Sequence, residues 1–304
     1  MKAVVYRRYG GPEVLEYTDV PNPKLSHNSV LVRVRAAALN PADHLLQAGL
    51  GDSHTDAWFP VIPGWDVAGV VEQLGAGVTE FAPGDEVIGY IRQEVLHHGA
   101  YAELVSAPVE ALARKPRTAS WSEAAGLPLS GLTAYRAIVQ TLEVAPGETV
   151  LIHGAAGGVG AVAAQLALAR QARVIGVASA RHHPFLRSIG VLPVAQGDGL
   201  AGRIRALAAD GIDAVLDCVG KGCLHATTEL GSSRARSCSI ADGGPGITTV
   251  FARLDSAVLA RLVEMVDAGG LRVPIAATYP LAQAAAAQTA LKQPHPPGKI
   301  VLVV

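Results

Sequence analysis

A glycine-rich stretch carries the clearest chemical signal in the sequence. It reads Gly154-Ala155-Ala156-Gly157-Gly158-Val159-Gly160. Aligned on Gly157 and Gly160, it matches G-x-G-x-x-G with Ala155 at the first glycine, and it lies between an apolar strand and a helix. Without a Cβ the backbone can approach a pyrophosphate, and the N-terminus of the helix offers free N–H groups. The stretch predicts a dinucleotide site; the alternative is an ordinary strand–helix turn.

The end of the next strand indicates which dinucleotide binds. NAD sites usually place an Asp or Glu about 20 residues further on, where it binds the ribose 2′-hydroxyl. This sequence has Ser179 and Arg181 there, and the next acidic residue is Asp198. An arginine can pair with a 2′-phosphate that a carboxylate would repel, and a serine can donate a hydrogen bond to it. We therefore expect NADPH; the alternative is that Arg181 is a solvated loop charge.

The sequence lacks the residue patterns of a metal site. Cys218, Cys223 and Cys238 form no C-x-x-C pair, and no H-E-x-x-H occurs. His97 and His98 are adjacent, so their side chains cannot easily share one ion. The absence of G-x-S-x-G argues against a hydrolase, and the glycine-rich stretch lacks the Lys-Ser/Thr of an ATPase loop. We expect no structural or catalytic zinc.

The composition bounds the fold and the partners. The chain has 304 residues, a net charge of -1, and 50% hydrophobic and 17% charged residues. This length suits two domains, and the chain is too apolar to be disordered. The near-zero charge argues against a nucleic-acid surface, and no run approaches the roughly 18 apolar residues of a membrane span. Without a recognisable signal peptide or a disulfide framework, a reducing cytoplasm is the expected compartment.

The order of the predicted elements divides the chain. Up to about Arg114, short strands and turn signals suggest a closed or partly closed β-barrel. From Ser120, strands and helices alternate, which predicts a parallel, doubly wound sheet. Its strands are predicted at 149–153, 173–178, 192–194, 212–217 and 235–240, and its helices at about 159–170, 183–189 and 200–209. After a helix at about 256–268, the tail is predicted to fold back on the first domain and to end in a strand at 300–304.

Several motifs, each modest alone, resemble one family when taken in order. They include Asn40-Pro41-Ala42-Asp43, Gly99-Ala100-Tyr101-Ala102-Glu103, the glycine-rich stretch, and the runs at 60–71, 132–135, 213–220 and 298–302. Together they are similar to the zinc-free medium-chain dehydrogenases/reductases of the NADPH:quinone oxidoreductase (zeta-crystallin-like) branch. The zinc-dependent branch would carry Gly-His-Glu where this chain has Gly64-Trp65-Asp66.

The resemblance implies a fold, a reaction and an assembly. The fold class would be α/β, with a GroES-like β-barrel catalytic domain over 1–119, completed by 270–304, and a Rossmann NADPH-binding domain with a doubly wound parallel sheet over 120–269. The active site would lie in the cleft between the domains. NADPH would reduce a quinone or an α,β-unsaturated carbonyl, without zinc. The implied partners are this small-molecule substrate and a second copy of the chain in a homodimer.

The resemblance also assigns roles to residues by motif. Asn40 and Asp43 would be the catalytic residues, near the nicotinamide and the substrate. Thr133 would contact the nicotinamide end of the cofactor, and the pyrophosphate would be held by Ala156, Gly157, Gly158 and Val159. The 2′-phosphate would be held by Ser179 and Arg181. Further cofactor contacts would come from Cys218, Val219 and Gly220, which follow a strand that ends near the cofactor, and from Ser239 and Phe251, along the path from adenosine to nicotinamide. Lys299, in the terminal Gly-Lys element, would either contact a phosphate or pack the domains.

Two of these roles have alternatives in local structure. Asn40 either donates an amide hydrogen bond to the carbonyl oxygen that gains negative charge, a role that a backbone N–H could also fill, or starts a turn before Pro41. Asp43 either works at the site or caps the following helix. Tyr90 and Tyr101 are candidate proton donors, with packing as the alternative, and water can complete the protonation.

The sequence departs from the family after Ser239. The segment 241–246 is shorter than is usual, and Gly231-Ser232-Ser233-Arg234 replaces a Pro-Gly-Gly-like turn. A shorter loop beside the cofactor would change the pocket wall and therefore the substrate. Two alternatives stand beside a general quinone or enone reductase: a pathway-specific enoyl reductase of secondary metabolism, and a non-redox NADPH-binding protein.

Overall fold

The structure is a computed structural model that describes residues 1–224, 230–243 and 246–304, with the backbone alone at 231–234. The strands are β1 Lys2–Val5, β2 Glu16–Asp19, β3 Ser29–Ala38, β4 Asp66–Leu74, β5 Glu86–Tyr90, β6 Leu104–Pro108, β7 Leu112–Arg114, β8 Thr149–His153, β9 Arg173–Ala178, β10 Leu192–Ala195, β11 Ile212–Asp217, β12 Gly231–Ser239, β13 Ile275–Pro280 and β14 Lys299–Val303. The helices are α1 Pro41–Gln47, α2 Trp121–Gly126, α3 Pro128–Tyr135, α4 Gly158–Ala169, α5 His183–Ser188, α6 Leu200–Leu207, α7 Ser256–Asp267 and α8 Ala284–Leu291.

The chain forms two compact units. The first comprises Met1–Leu129, Leu254–Gly269 and Val273–Val304, and the second comprises Ser130–Arg253 and Gly270–Arg272. Helix α7 belongs to the first unit, although its position in the chain predicts that it lies in the 120–269 domain. Its last residue, Asp267, accepts hydrogen bonds from the backbone N–H and the hydroxyl of Thr118 at 3.0 and 3.1 Å. These hydrogen bonds join the end of α7 to the segment before α2, which also belongs to the first unit.

The first unit is built around a seven-stranded sheet. Its order is β13-β14-β3-β4-β5-β7, and β6 also pairs with β3. Along β3, Arg33 and Arg35 are exposed while their neighbours are buried, which is the alternation expected of a sheet with one face on the core. Shortly before β6, the carbonyl oxygen of Tyr101 accepts a backbone hydrogen bond from Val4 N at 2.8 Å.

The second unit contains a five-stranded parallel sheet. Its order is β10-β9-β8-β11-β12, so the strand order reverses beside β8. Strands β8, β9 and β11 have the predicted bounds and are almost wholly buried, as parallel strands covered on both faces must be. Strand β12 begins at Gly231 rather than at the predicted 235. The predicted α/β fold class is confirmed, and no helix within the described ranges is long and apolar enough to cross a membrane.

The packing of the parallel sheet gives a test of the fold. Leu151, at the centre of β8, is fully buried in a cluster with Ile175 and Ile212. We expect Leu151→Ala to lower the free energy of unfolding by about 2–5 kcal/mol, because it removes buried methyl groups and leaves a cavity. Urea unfolding followed by circular dichroism measures the change.

The matched control is Leu50→Ala, since Leu50 is 71% exposed. It should alter the free energy of unfolding by no more than about 0.5 kcal/mol. Equal losses in the two variants would contradict the placement of Leu151 in the core.

Candidate active site

Buried polar side chains of the first unit meet where three strands lie side by side. Strand β3 pairs with β4 and with β14, so Ala38 lies opposite both Asp66 and Val301. Asn40 follows β3 as the N-cap of α1, Asp66 begins β4 and Lys299 begins β14. The strand register therefore gathers residues that are far apart in the sequence, and Asn40, Asp43, Asp66 and Lys299 are all buried.

The ammonium group of Lys299 connects this cluster. Its Nζ donates to Leu39 O at 2.8 Å, to Asn40 Oδ1 at 2.5 Å and to Asp66 Oδ2 at 3.4 Å. An ammonium has three N–H donors, so these acceptors use all of them. This geometry fits the packing alternative for Lys299 and leaves no donor for a phosphate.

Asp66 is the carboxylate partner of Lys299. Its oxygens also accept from the Asn40 amide at 3.0 Å and from the backbone N–H of Leu129 at 2.7 Å. Burial raises the pKa of Asp66, and the Lys299 ammonium and the two other donors oppose that rise because they stabilise the ionised form. With three donors on one carboxyl group, we assign Asp66 as the ionised member of a buried ion pair.

Asn40 orients this ion pair. Its amide nitrogen donates to Asp66, and its amide oxygen accepts from Lys299. Both ends of the side chain therefore have partners inside the first unit. Asn40 fits a positioning role better than the role of a donor to a substrate oxygen.

One carboxyl oxygen of Asp43 accepts hydrogen bonds, and the other accepts none from the described residues. Oδ2 accepts from the backbone N–H of Asn40 at 2.8 Å, the contact expected of a helix-capping residue, and from the Tyr101 hydroxyl at 3.0 Å. Oδ1 is buried, and no described residue donates a hydrogen bond to it. Burial raises the pKa of Asp43 to about 7, with a smaller contribution from the negative charge of Asp66. Asp43 therefore combines a cap with an available acid group.

A pocket lies beside Asp43 within the first unit. It encloses about 320 Å³, including its open mouth, and its walls are formed by residues of 6–99. Aromatic and imidazole groups are prominent among them: Tyr6, Trp65, His97 and His98 all line the pocket together with Asp43. His97 Nδ1 lies 2.7 Å from Trp58 O, which fixes its ring at the pocket wall.

The glycine-rich turn of the second unit has the backbone geometry that a phosphate site needs. Gly154 adopts φ +72°, and a Cβ on Gly160 would lie 2.3 Å from Gly154 O, so neither position tolerates a side chain. Helix α4 starts after Gly157, and its first internal hydrogen bond runs from Ala161 N to Gly157 O. The preceding amides, from Gly158 to Gly160, are therefore left outside the hydrogen bonds of the helix.

The residues predicted at a 2′-phosphate follow β9, next to this turn in the sheet. Ser179 precedes a short 3-10 turn, Ala180–His182. Arg181 is exposed, and its Nε donates to His182 Nε2 at 3.1 Å. An exposed guanidinium and a hydroxyl thus lie at the carboxyl end of the strand, where no carboxylate is present in the sequence before Asp198.

The loop after β11 is shaped by a buried carboxylate, Asp217. Its oxygens accept from the backbone N–H of Val219 at 2.8 Å, from that of Gly220 at 3.0 Å and from the Ser239 hydroxyl at 2.9 Å. Ser239 Oγ also accepts from Asp242 N at 2.9 Å. The Ser239 side chain is thus engaged in shaping this edge.

The remaining predicted residues are less informative. Cys218 is partly buried, and burial raises the pKa of its thiol well above its usual value. Thr133 is buried in α3, and Phe251 is 64% exposed. Gly244 and Pro245, in the segment singled out as unusually short, lie outside the described residues.

Two important residues received no role from the sequence. Asp66 is the first residue of β4 and Asp217 is the last residue of β11, and both have an exposure of 0%. A carboxylate at the boundary of an otherwise apolar run is the signal that could have identified them. Among the side chains that the structure describes, no group of three or more His, Cys, Asp or Glu residues could hold a metal ion.

Comparison with known proteins places these features in a family. The alcohol dehydrogenase GroES-like domain matches residues 26–117, and the zinc-binding dehydrogenase family matches 194–302. The chloroplast envelope quinone oxidoreductase homolog of Arabidopsis thaliana is 34% identical over 72% of this chain and 68% of its own length. The NADPH-dependent alkenal/one oxidoreductase of the same plant is 38% identical over 62% of this chain. A crystal structure titled NAD-dependent alcohol dehydrogenase has a TM-score of 0.93 and 31% identity, with full coverage of both chains.

The fold and these matches define a medium-chain dehydrogenase/reductase. Within that class, the chain belongs to the quinone oxidoreductase family. The matched part spans about half the length of several curated relatives, including 50% of the alkenal/one oxidoreductase.

The buried ion pair gives a test of the site. We expect Lys299→Met to lower the free energy of unfolding by about 3–5 kcal/mol, because it leaves Asp66 as a buried carboxylate without its cation. Urea unfolding at neutral pH measures this loss.

The control is Lys2→Met, which removes the exposed ion pair between Lys2 and Asp19. This variant should unfold like the parent protein, since exposed ion pairs are screened by water. An unchanged stability for Lys299→Met would contradict the ion pair.

Proposed function

We propose that the protein is an NADPH-dependent oxidoreductase that transfers hydride to quinones or α,β-unsaturated carbonyls without zinc. The observation that carries the proposal is the glycine-rich turn between β8 and α4, at the carboxyl edge of the parallel sheet. There a Cβ on Gly160 would meet the backbone at 2.3 Å, and the amides at the start of α4 are available to a phosphate. The names of the quinone and alkenal/one oxidoreductase relatives support the substrate class.

The proposed cofactor is NADPH rather than NADH. Arg181 and Ser179 supply a cation and a hydroxyl where a 2′-phosphate would lie, and no carboxylate there would bind a 2′-hydroxyl. One similar crystal structure is titled as that of an NAD-dependent alcohol dehydrogenase, so the proposed preference for NADPH is based on the residues of this chain. The residues proposed to hold the cofactor are those of the glycine-rich turn, 156–159, with Ser179 and Arg181 at its adenosine end and 218–220 and Thr133 toward the nicotinamide. When bound, NADPH supplies the hydride.

The proposal assigns the substrate chemistry to the first unit. Asn40 positions the Lys299–Asp66 ion pair, and Asp43 lines a pocket with an unused carboxyl oxygen. No metal enters the proposal, because the sequence has Trp65 and Asp66 where zinc-dependent relatives carry His-Glu. The working form is proposed to be a cytoplasmic homodimer, on the strength of the family resemblance and the cysteine content.

Turnover is the direct test of the proposed activity. The purified protein should consume NADPH, followed by its absorbance at 340 nm, with at least some members of a panel of quinones and aryl enones. Prior dialysis against a chelator should leave the rate unchanged, because hydride transfer here needs no Lewis acid. Tight NADPH binding with no turnover on any acceptor would contradict the proposal and favour a non-redox NADPH-binding protein.

The cofactor preference has its own test. Arg181→Ala should weaken NADPH binding by about 10-fold or more, because it removes a charge-assisted hydrogen bond to the 2′-phosphate. NADH binding should change little. Fluorescence titration of the reduced cofactors measures both dissociation constants.

Arg187→Ala is the matched control, since Arg187 is an exposed arginine on α5. It should leave both dissociation constants close to those of the parent. Equal weakening of NADPH and NADH by Arg181→Ala would defeat the 2′-phosphate assignment.

A further inference from the structure

One buried carboxyl oxygen in the first unit has a hydrogen-bonding position that the protein does not use. Asp43 is 5% exposed, and its Oδ2 is turned toward the Asn40 N–H and the Tyr101 hydroxyl. Oδ1 has no donor among the described residues, although leaving a buried oxygen without a hydrogen bond is unfavourable. The same side chain lines the pocket. A ligand in the pocket that reaches this oxygen would satisfy its unused hydrogen-bonding capacity.

The charges around Asp43 favour its protonated form. Asp66 and Lys299 lie 3.4 Å apart and neutralise each other. An ionised Asp43 would therefore be a buried charge without a counterion, which is strongly unfavourable. This agrees with the raised pKa of Asp43, for which burial is the largest cause.

Three tyrosines interact electrostatically with Asp43, and a phenol carries no charge at neutral pH. Tyr6, Tyr90 and Tyr101 are buried, and burial raises the pKa of each phenol. In the pocket, burial lowers the pKa of His98, and His97 adds to that effect. Lys299 is the cation whose charge acts on Asp43, and it is already paired with Asp66. The Arg92 guanidinium lies over the Trp65 ring, 5.6 Å from its centroid, and acts on Tyr90.

The hydrogen-bond pattern decides which oxygen carries the proton. Oδ2 already accepts two hydrogen bonds, from Asn40 and Tyr101, whereas Oδ1 accepts none. A proton on Oδ1 leaves both existing bonds intact and gives this oxygen a hydrogen to donate. We propose that Asp43, protonated on Oδ1, donates a hydrogen bond and then its proton to the carbonyl oxygen of a substrate in the pocket. This inference rests on the proposed function for the origin of the hydride.

The pocket walls define the substrate class. Tyr6 and Trp65 line it, and two exposed aromatic residues touch its wall: Phe59 contacts Tyr6 at 5.9 Å between ring centroids, and Trp58 contacts His97 at 6.2 Å. Such a surface favours flat, apolar molecules through stacking and edge-to-face contacts. With Asp43 as the acid group in the pocket, the substrate is a carbonyl compound with an apolar, flat body, such as an aryl enone or a quinone.

The proton balance of the step is simple. Hydride addition at the β-carbon of the enone breaks the carbon–carbon π bond and places an electron pair on the carbonyl oxygen. That oxygen takes the proton from Asp43 Oδ1, which yields an enol and leaves an Asp43 carboxylate. Water at the open mouth of the pocket returns a proton to Asp43, and the enol tautomerises to the saturated ketone. The hydride and one proton from solvent are the atoms gained.

A spectroscopic test needs no cofactor. Acetophenone labelled with ¹³C at the carbonyl, bound to the protein alone, should show a carbonyl infrared band at lower wavenumber than in apolar solvent at a pH well below 7. The shift should disappear well above pH 7, where Asp43 has lost its proton. With Asp43→Asn, which keeps a donor but cannot ionise, the band should be shifted at both pH values. A shift in the parent protein that is the same at both pH values would overturn the proposal.

Kinetics separate proton donation from binding. Asp43→Asn should lower kcat by about 10²–10⁴-fold, the usual contribution of a general acid, while acetophenone binds within a few-fold of the parent. Tyr101→Phe retains the carboxyl group but removes a donor that stabilises its ionised form. In that variant the fall of kcat with rising pH should move to higher pH.

The control is Asp210→Asn, at an exposed aspartate of the second unit, which should leave kcat and its pH profile unchanged. An unchanged kcat in Asp43→Asn would overturn the role of Asp43 as proton donor. If the infrared shift appears but no acceptor is reduced, the proposed function fails while the carbonyl site stands. The two failures are therefore distinguishable.

Discussion

The buried ion pair between Lys299 and Asp66 is the interaction on which the first unit depends most. It joins the first residue of β14 to the first residue of β4, and Asn40 completes it from the end of β3. The residue before Lys299 must be a glycine. Gly298 adopts φ +104°, and a Cβ at this position would lie 2.0 Å from Pro274 O. A buried pair of this kind is costly to break from either side, so it fixes the register of the three strands at the site.

The same cluster contains one cation, Lys299, and two carboxyl groups, Asp43 and Asp66. Because one cation can balance only one carboxylate, the other carboxyl group favours its protonated form. Three donors hold Asp66 in its ionised form beside Lys299. Asp43 is buried, and Lys299 is already paired with Asp66, so burial raises the pKa of Asp43 to about 7. The fold therefore keeps a buried acid group beside a pocket, where a hydrogen bond to a developing negative charge is stronger than in bulk water.

The glycine-rich turn could be predicted from the sequence because its residues are consecutive in the chain. Spacing within 154–160 and the absence of an acid near Arg181 determine its chemistry, and β8, β9 and β11 follow from continuous apolar runs. The cluster of Asn40, Asp43, Asp66 and Lys299 could not be predicted from the sequence, because strand pairing brings together residues that are far apart in the chain. Lys299 and Asp66, for example, are separated by more than two hundred residues. Asp43 was recognised by motif, but its free oxygen depends on Tyr101 occupying the other side. The order of the elements predicts that α7 belongs to the second domain, whereas its contacts group it with the first unit.

The protonation state of Asp43 is the central claim, and ¹³C NMR of protein labelled at the aspartate carboxyl carbons measures it directly. The Asp43 signal, assigned by its loss in Asp43→Asn, should titrate with a midpoint near 7. An Asp43 signal that already has the chemical shift of a carboxylate at about pH 5, near the ordinary range of an exposed aspartate, would contradict the account.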